Sequence, residues 1–370
     1  MYSFANPKTL TALLHCIGLL VMRYLLAARL RILLTTDQKV CRITMSDFST
    51  SGSTITNSSH GNELLAMIRN IVPPLTYDKH KGQDGRIAVI GGCKEYTGAP
   101  YFAAMSAYRV GCDLSHVFCT EGAAPVIKSY SPDLIVHPEL DVSDPVAAIQ
   151  KWLPRMHGIV IGPGLGRDDK ILQTVKELIG LIKASNIPMV IDADGLFLLV
   201  QSPDIIQGYQ SAILTPNIVE FKHLYRKMLG RDPDPSNAVA NVQELSKALG
   251  NVTVCLKGMD DIISDGRNVI VCASKGSPRR CGGQGDILSG TMGVFNFWAH
   301  QASSQANQTN DYILSSFGPP SCAAYAACLL TKRSSHLAFA EHKRSMSTTD
   351  VLAKVPQAFS EQYETFKSGL

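Results

Sequence analysis

The stretch Gly276–Gly290, GSPRRCGGQGDILSG, decides how this chain is read. Two arginines lead into a glycine cluster, an acid follows, and an apolar run of small residues predicts a helix opening at Asp286. Gly282, Gly283 and Gly285 carry no Cβ, so the backbone there can bend tightly and bring bare N–H groups against a ligand. The helix start adds unpaired amides and the positive end of its dipole, which together make an anion site. Asp286 lies beside that site and is placed to take a proton from a hydroxyl while the amides hold a phosphoryl group. The competing reading is a glycine-rich turn with Asp286 as a plain N-cap.

The chain upstream favours the anion site. From Arg86 onward, RIAVIGG, LSHVFCT, LIVHP, GIVIGPGLG, PMVIDADG and SAILTPN read as short apolar strands. Helical runs such as YFAAMSAYRVG, ILQTVKELIGLIKAS and IVEFKHLYRKML lie between or after them. This alternation predicts an α/β fold, a mostly parallel sheet with helices on both faces. Three strands, VTVCLKG, DIISDG and NVIVCAS, follow without helices, so antiparallel strands are expected at one edge. A helix from Asp286 to His300, a polar loop over 301–311, a small-residue helix around Cys322–Leu330 and a last helix capped by Thr348-Thr349-Asp350 complete the order.

In such sheets ligands bind outside the carboxyl ends of the strands, and the residues with chemistry fall there. Gly91-Gly92 and the segment Tyr96–Pro100 allow close approach of a ligand or of another backbone. Gly162-Pro163-Gly164-Leu165-Gly166 suits a rigid wall without side chains. At Asp192-Ala193-Asp194-Gly195 an acid could orient a substrate or hold Mg²⁺ through water, while Asp194 equally suits helix capping. Asn217 and Glu220 share one face of a first helical turn, as a capping box or as a polar pair in which Glu220 organises metal-bound water. Lys257-Gly258 at a strand end suits a phosphate contact, with Arg279 and Arg280 nearby in sequence. Neither G-x-G-x-x-G nor G-x-x-x-x-G-K-[ST] occurs, which weakens Rossmann and P-loop readings.

Hydrophobic residues make up 45% of the 370 and charged ones 18%, the composition of a globular chain rather than a disordered one. Ten cysteines without a C-x-x-C pair suggest free thiols rather than a zinc or redox motif. Residues 1–36 hold no acid, four basic residues and many leucines, which resembles an organelle transit segment over residues 1–45, mitochondrial or plastid, with a signal sequence or anchor as the alternative. Its apolar run Leu10–Met22 is short for a membrane span. Met45 offers an internal start for a cytosolic form. Residues 1–44 carry a net +5, which leaves about −1 for the rest of a chain whose total is +4, so nucleic acid is not an expected partner. Residues 46–61 are rich in Ser, Thr and Gly and read as a flexible linker, with one folded domain over 62–370.

Taken together, the glycine loop with Asp286, the N-x-x-E after a strand and the K-G at a strand end resemble the ribokinase-like fold, a three-layer sandwich. Within it, GPGLGRD, DADGLFLL, TPNIVEF, LKG and RRCGGQGDILSG resemble the ATP-dependent NAD(P)H-hydrate dehydratase family, over roughly residues 63–367. The resemblance implies return of the S-form of NADHX or NADPHX to NADH or NADPH, with ATP as co-substrate and Mg²⁺ as cofactor. It assigns the base to Asp286, and substrate contacts to Gly164, Gly166, Asn217, Ile218, Val219, Glu220, Phe221, Lys222, His223 and Asp286. It assigns ATP to Lys257, Gly258, Met259, Asp260 and Asp261, and to Gly276, Ser277, Pro278, Arg279, Arg280, Cys281, Gly282, Gly283, Gln284 and Gly285. Which of Asp260 and Asp261 faces the nucleotide is left open. The upstream segment is too short for an epimerase domain, so the expected partner is a separate epimerase; a homo-oligomer stays open. The rival readings are a small-alcohol (vitamin-precursor) kinase of the same fold and a non-catalytic nucleotide sensor.

Overall fold

The computed structural model describes residues 54–56, 64–65, 68–305 and 312–364. The transit reading and Met45 lie outside the described residues, as do all of the linker stretch but Thr54–Thr56, and those three form a strand, β1 (Thr54–Thr56). In chain order there follow β2 (Arg86–Ile90), α1 (Gly98–Val110), β3 (Leu114–Cys119), α2 (Ala124–Tyr130), β4 (Leu134–Pro138), α3 (Pro145–Gln150), β5 (Gly158–Ile161), α4 (Asp169–Ala184) and β6 (Met189–Ile191). Then come α5 (Ala193–Gln201), β7 (Ala212–Leu214), α6 (Ile218–Leu229), α7 (Ala238–Ala248), β8 (Thr253–Leu256), β9 (Asp261–Ser264) and β10 (Val269–Cys272). Four helices close the order: α8 (Gln284–Gln305), α9 (Tyr312–His342), α10 (Thr348–Ala353) and α11 (Val355–Tyr363).

Among the described residues the strands form one ten-stranded sheet in the order β1-β10-β9-β8-β7-β6-β5-β2-β3-β4. Only β9 runs antiparallel to its neighbours, β8 and β10, which meets the expectation of an antiparallel edge region. The chain moves outward from β2 through β3 to β4, then returns to β5 on the other side of β2, so the order reverses between β2 and β5. Such a reversal opens a crevice between the two connections, because they leave the sheet in opposite directions.

Alternation along the strands sorts the core into two layers. Ala88, Ile90, Ile159, Ile161, Met189, Ile191 and Leu214 point into one cluster with the apolar stripes of α4, α5, α6 and α7. Their neighbours Ile87, Val89, Val160, Val190 and Ile213 are equally buried and face the other way. On that second face α8 packs against α1, α9, β5 and β6. The contact is close because it is made by glycines: a Cβ on Gly293 would come within 2.8 Å of Val160 Cγ2.

Three boundaries differ from the sequence reading. Helix α8 opens at Gln284, two residues before Asp286, and continues through Gln305 into the stretch expected as loop. Helix α9 contains a break at Gly318 (φ 73°, ψ 154°), after which Pro319 and Pro320 start a fresh helical segment. The cap of α10 is Ser347, whose hydroxyl accepts the Asp350 amide while the Asp350 carboxylate accepts the Ser347 amide. No helix among the described residues is long and apolar enough to cross a membrane.

Candidate active site at the carboxyl edge of the sheet

The parallel register lines up the ends of the central strands. Ile90 pairs with Ile161, Ile161 with Ile191 and Ile191 with Leu214. The hydrogen-bond ladder then runs one step past each end: Gly162 N–H donates to Ile90 O, Asp192 N–H to Ile161 O, Thr215 N–H to Ile191 O and Lys257 N–H to Pro216 O. Residues far apart in sequence are therefore held in a row by backbone bonds, and side chains leaving that row meet above the sheet edge.

Asp286 sits in the first turn of α8 with its carboxyl pushed up to about 7. Burial is the main cause, the Asp192 charge adds to it, and the Lys257 ammonium and the residue's own amide oppose it. Lys257 Nζ donates to Asp192 Oδ1 at 2.6 Å, and the Asp192 side chain is only 2% exposed. Burial by itself would push the Lys257 ammonium down; Asp192, Glu220 and Asp286 outweigh it and hold the group above its usual range. A Cβ on Gly285 would lie 3.4 Å from Lys257 Nζ and 3.9 Å from Asp192 Oδ2, so the start of α8 rests directly on this ion pair. Among the described residues the amides of Gly283, Gln284 and Gly285 donate to no acceptor, since the first helical bond runs from Ile287 N–H to Gly283 O. Bare amides, a half-buried carboxyl poised near neutrality and a paired ammonium thus share one spot.

The loop 276–283 is braced from behind. Ser335 Oγ donates to Ser277 Oγ at 2.8 Å, Arg279 Nε to Met346 O at 3.5 Å, and Thr348 Oγ1 to Gly282 O. Gln284 Nε2 donates to Arg279 O (3.2 Å), closing the loop on itself. Gly283 has φ +96°, which strains any residue with a side chain, and a Cβ there would strike Thr348 Cγ2 at 2.8 Å. Arg280 and Pro278 are exposed, and Cys281 is half-buried.

The Asn217–Glu220 pair forms the capping box: Asn217 Oδ1 accepts from Val219 and Glu220 amides, and Glu220 Oε2 accepts the Asn217 amide at 2.8 Å. One carboxylate oxygen of Glu220 is thereby committed. Burial raises its carboxyl, Lys257 lowers it, and the charges of Asp192 and Asp194 raise it, so Glu220 belongs electrostatically to the same cluster. Ile218 and Val219 are exposed at 64% and 59%, as is Met259 at 81%, apolar surface of the kind a ligand covers. Lys222 and His223 are exposed as well, whereas the Phe221 ring is buried in the core against Tyr225, leaving only its backbone toward the edge.

The glycine wall is held by acids. Asp194 accepts from Gly166 N–H at 3.0 Å and from Arg167 Nε at 3.2 Å, so it braces the wall rather than capping α5. Gly164 O accepts from the amides of Gly92 and Cys93, and Gly91 lies on the Pro163 carbonyl with no room for a Cβ. The approach anticipated at Gly91-Gly92 is therefore backbone on backbone. Asp261 is spent on the Gly258 amide (2.9 Å) and the Lys332 ammonium (3.2 Å), while Asp260 is exposed beside it. A cavity of about 810 Å³ opens at the crevice between the β2 and β5 connections, lined by Cys93, Asp141, Asp168 and Lys170 among others; none of the residues assigned above to substrate or nucleotide lines it. Sequence reading missed the Asp192–Lys257 pair, since an acid at a strand end does not announce its partner.

Comparison with known proteins gives the family and the fold. A family model described as NAD(P)H-hydrate dehydratase matches residues 87–357. A rat protein named ATP-dependent (S)-NAD(P)H-hydrate dehydratase is 54% identical over 304 residues, 82% of this chain and 87% of its own length. A ribokinase-like superfamily protein from Enterococcus faecalis superposes with a TM-score of 0.64 at 20% identity, over 81% of this chain and 95% of that one. An ADP/ATP-dependent NAD(P)H-hydrate dehydratase from Bacillus subtilis, co-crystallized with ATP/Mg²⁺, does so at 0.58 and 19%, over 80% and 97%. The fold is thus ribokinase-like, and this chain belongs to the NAD(P)H-hydrate dehydratase family.

Proposed function

We propose that the protein is an ATP-dependent (S)-NAD(P)H-hydrate dehydratase, a hydro-lyase that repairs hydrated nicotinamide cofactor. The observation that carries this reading is the Asp286 carboxyl, held at about 7 beside unpaired helix-start amides. A base matched to neutral pH next to an anion site is what transfer of a phosphoryl group to a hydroxyl requires.

In this reading the hydroxyl oxygen of the adduct attacks the γ-phosphorus of ATP, its proton passes to Asp286, and the bond to the leaving ADP breaks. Amides of Gly283, Gln284 and Gly285 stabilise charge on the transferring group. The C–O bond of the new phosphate ester then breaks with the electron pair going to phosphate, a proton leaves the adjacent carbon, and the ring double bond returns. Gly164, Gly166 and the segment Asn217–His223 take the adduct; Lys257–Asp260 and Gly276–Gly285 take ATP. Mg²⁺ carried on the nucleotide would neutralise phosphate charge, and the uncommitted oxygen of Glu220 fits contact through water, since Mg²⁺ is held mostly by phosphates and waters rather than by a protein cage. The S-form alone is consumed, so a separate epimerase supplies it from the R-form. The acid-free leader supports organelle targeting, which fusion of residues 1–45 to a fluorescent reporter tests.

The deciding experiment mixes the purified protein with NADHX, Mg²⁺ and ATP and follows the dihydronicotinamide absorbance. Recovery that depends on ATP and releases ADP and phosphate supports the dehydratase. ATP turnover with vitamin-like alcohols and no recovery of NADH would move the assignment to the kinase.

A further inference from the structure

Asp192 occupies the N-cap position of α5, yet its side chain bonds no helix amide. Its backbone is pinned: its N–H donates to Ile161 O and its carbonyl accepts from Gly195 N–H, both at 2.9 Å. Gly162 lies against that carbonyl so closely that no Cβ fits. A carboxylate this immobile and this buried would be unfavourable without a cation, and the cation is Lys257, one strand beyond β7 and 65 positions along the chain. Lys257 in turn has two further anionic neighbours, because Glu220 and, more weakly, Asp286 also attract it. Released from Asp192, the ammonium would be shared between Glu220 and Asp286, and whatever part Asp286 takes would mask the base.

Resting on the proposed function, we infer that Asp192 is a positioning residue for phosphoryl transfer: it holds the Lys257 ammonium against the start of α8, toward the transferring phosphoryl group and away from the Asp286 carboxylate. Lys257 then meets the oxygens of the transferring group, while Asp286 stays unpaired and free to accept the hydroxyl proton. The Asp192 charge shifts the proton affinity of Asp286 in either case, whereas a purely structural pair would serve stability alone and leave kcat near its full value.

The test uses the full chain and its D192N and D192E variants. Turnover of NADHX with ATP gives kcat and KM, and the carboxyl ¹³C shift of Asp286 in labelled protein, assigned with D286N, gives its protonation midpoint without substrate. D192N is expected to lower kcat about 100-fold while KM for ATP changes much less. It is also expected to lower the Asp286 midpoint by about a unit or more, with D192E intermediate in both. Should D192N not fold, D192E carries the same expectation in smaller measure. A variant with kcat within about threefold of the parent would overturn the proposal, whatever its Asp286 midpoint. If the parent protein does not turn over NADHX, the proposed function fails, and the Asp286 midpoint still decides whether Asp192 sets it.

Discussion

Gly290 of α8 lies so close to Ala103 of α1 that an added Cβ would fall on the Ala103 carbonyl oxygen and on Ser106 Oγ. Ser106 Oγ also donates to Ile287 O at 3.2 Å, so the two helices are fastened one turn beyond Asp286. The helix that carries the base is thus located by a contact only glycine permits. Gly290→Ala should destabilise the protein by about 2–4 kcal/mol, because neither backbone can yield. Urea denaturation checks it; a loss below about 0.5 kcal/mol would mean that the helices part freely.

Replacing Asp286 with Asn should lower kcat by about a thousandfold or more while leaving ATP binding within a few-fold. The same change removes a carboxyl that burial makes costly to ionise, so at pH 8 the variant should melt a few degrees higher. Calorimetry with and without ATP reads both effects. Near-normal turnover would remove Asp286 from the mechanism.

The pH dependence of kcat follows from the same carboxyl. A base must be deprotonated to act, so activity should rise with pH through about 7 and level off above it. An ordinary aspartate would put that limb near pH 4, so a flat profile between pH 5.5 and 8 would contradict the assignment.

Neighbouring glycines of the loop should behave unlike each other. Nothing lies within 4 Å of a Cβ built on Gly282, whereas Gly283 combines φ +96° with a clash on Thr348. Gly283→Ala should raise KM for ATP and lower stability by about 1–3 kcal/mol, and Gly282→Ala should leave stability near that of the parent. Equal effects would show that loop backbone conformation is not what matters.

Far from the site, His116 and His137 pair at 3.0 Å between β3 and β4, with Trp152 against both rings. Burial pushes both down to about 4 from the usual 6.5, helped in His116 by the charges of His137 and Arg86, and in His137 by Lys128 and Lys151. Between those values the unfolded chain binds more protons than the folded one, so stability falls as pH drops from about 6.5 toward 4. The loss should reach roughly 1–3 kcal/mol at pH 4.5, seen as a lower urea midpoint than at pH 7. Replacing both histidines with Phe should flatten that slope whatever it does to absolute stability.

Signals that act over a few residues were legible in the chain itself. Short β-branched runs, helical spacing and the glycines and acids at strand ends placed the sheet, the helices and the edge where ligands bind, because each depends on local backbone preference and on periodicity. The glycine loop and Asp286 were readable for the same reason. The tertiary structure alone decided which acid does what. Asp194 braces Gly166, Asp261 is consumed by Gly258 and Lys332, and Asp192 takes Lys257, because ion pairing depends on distances set by strand order, and strand order brings together residues 65 positions apart. The proton affinity of Asp286 is likewise a property of the assembled edge: it needs burial and a neighbouring carboxylate, and neither exists until the sheet has formed.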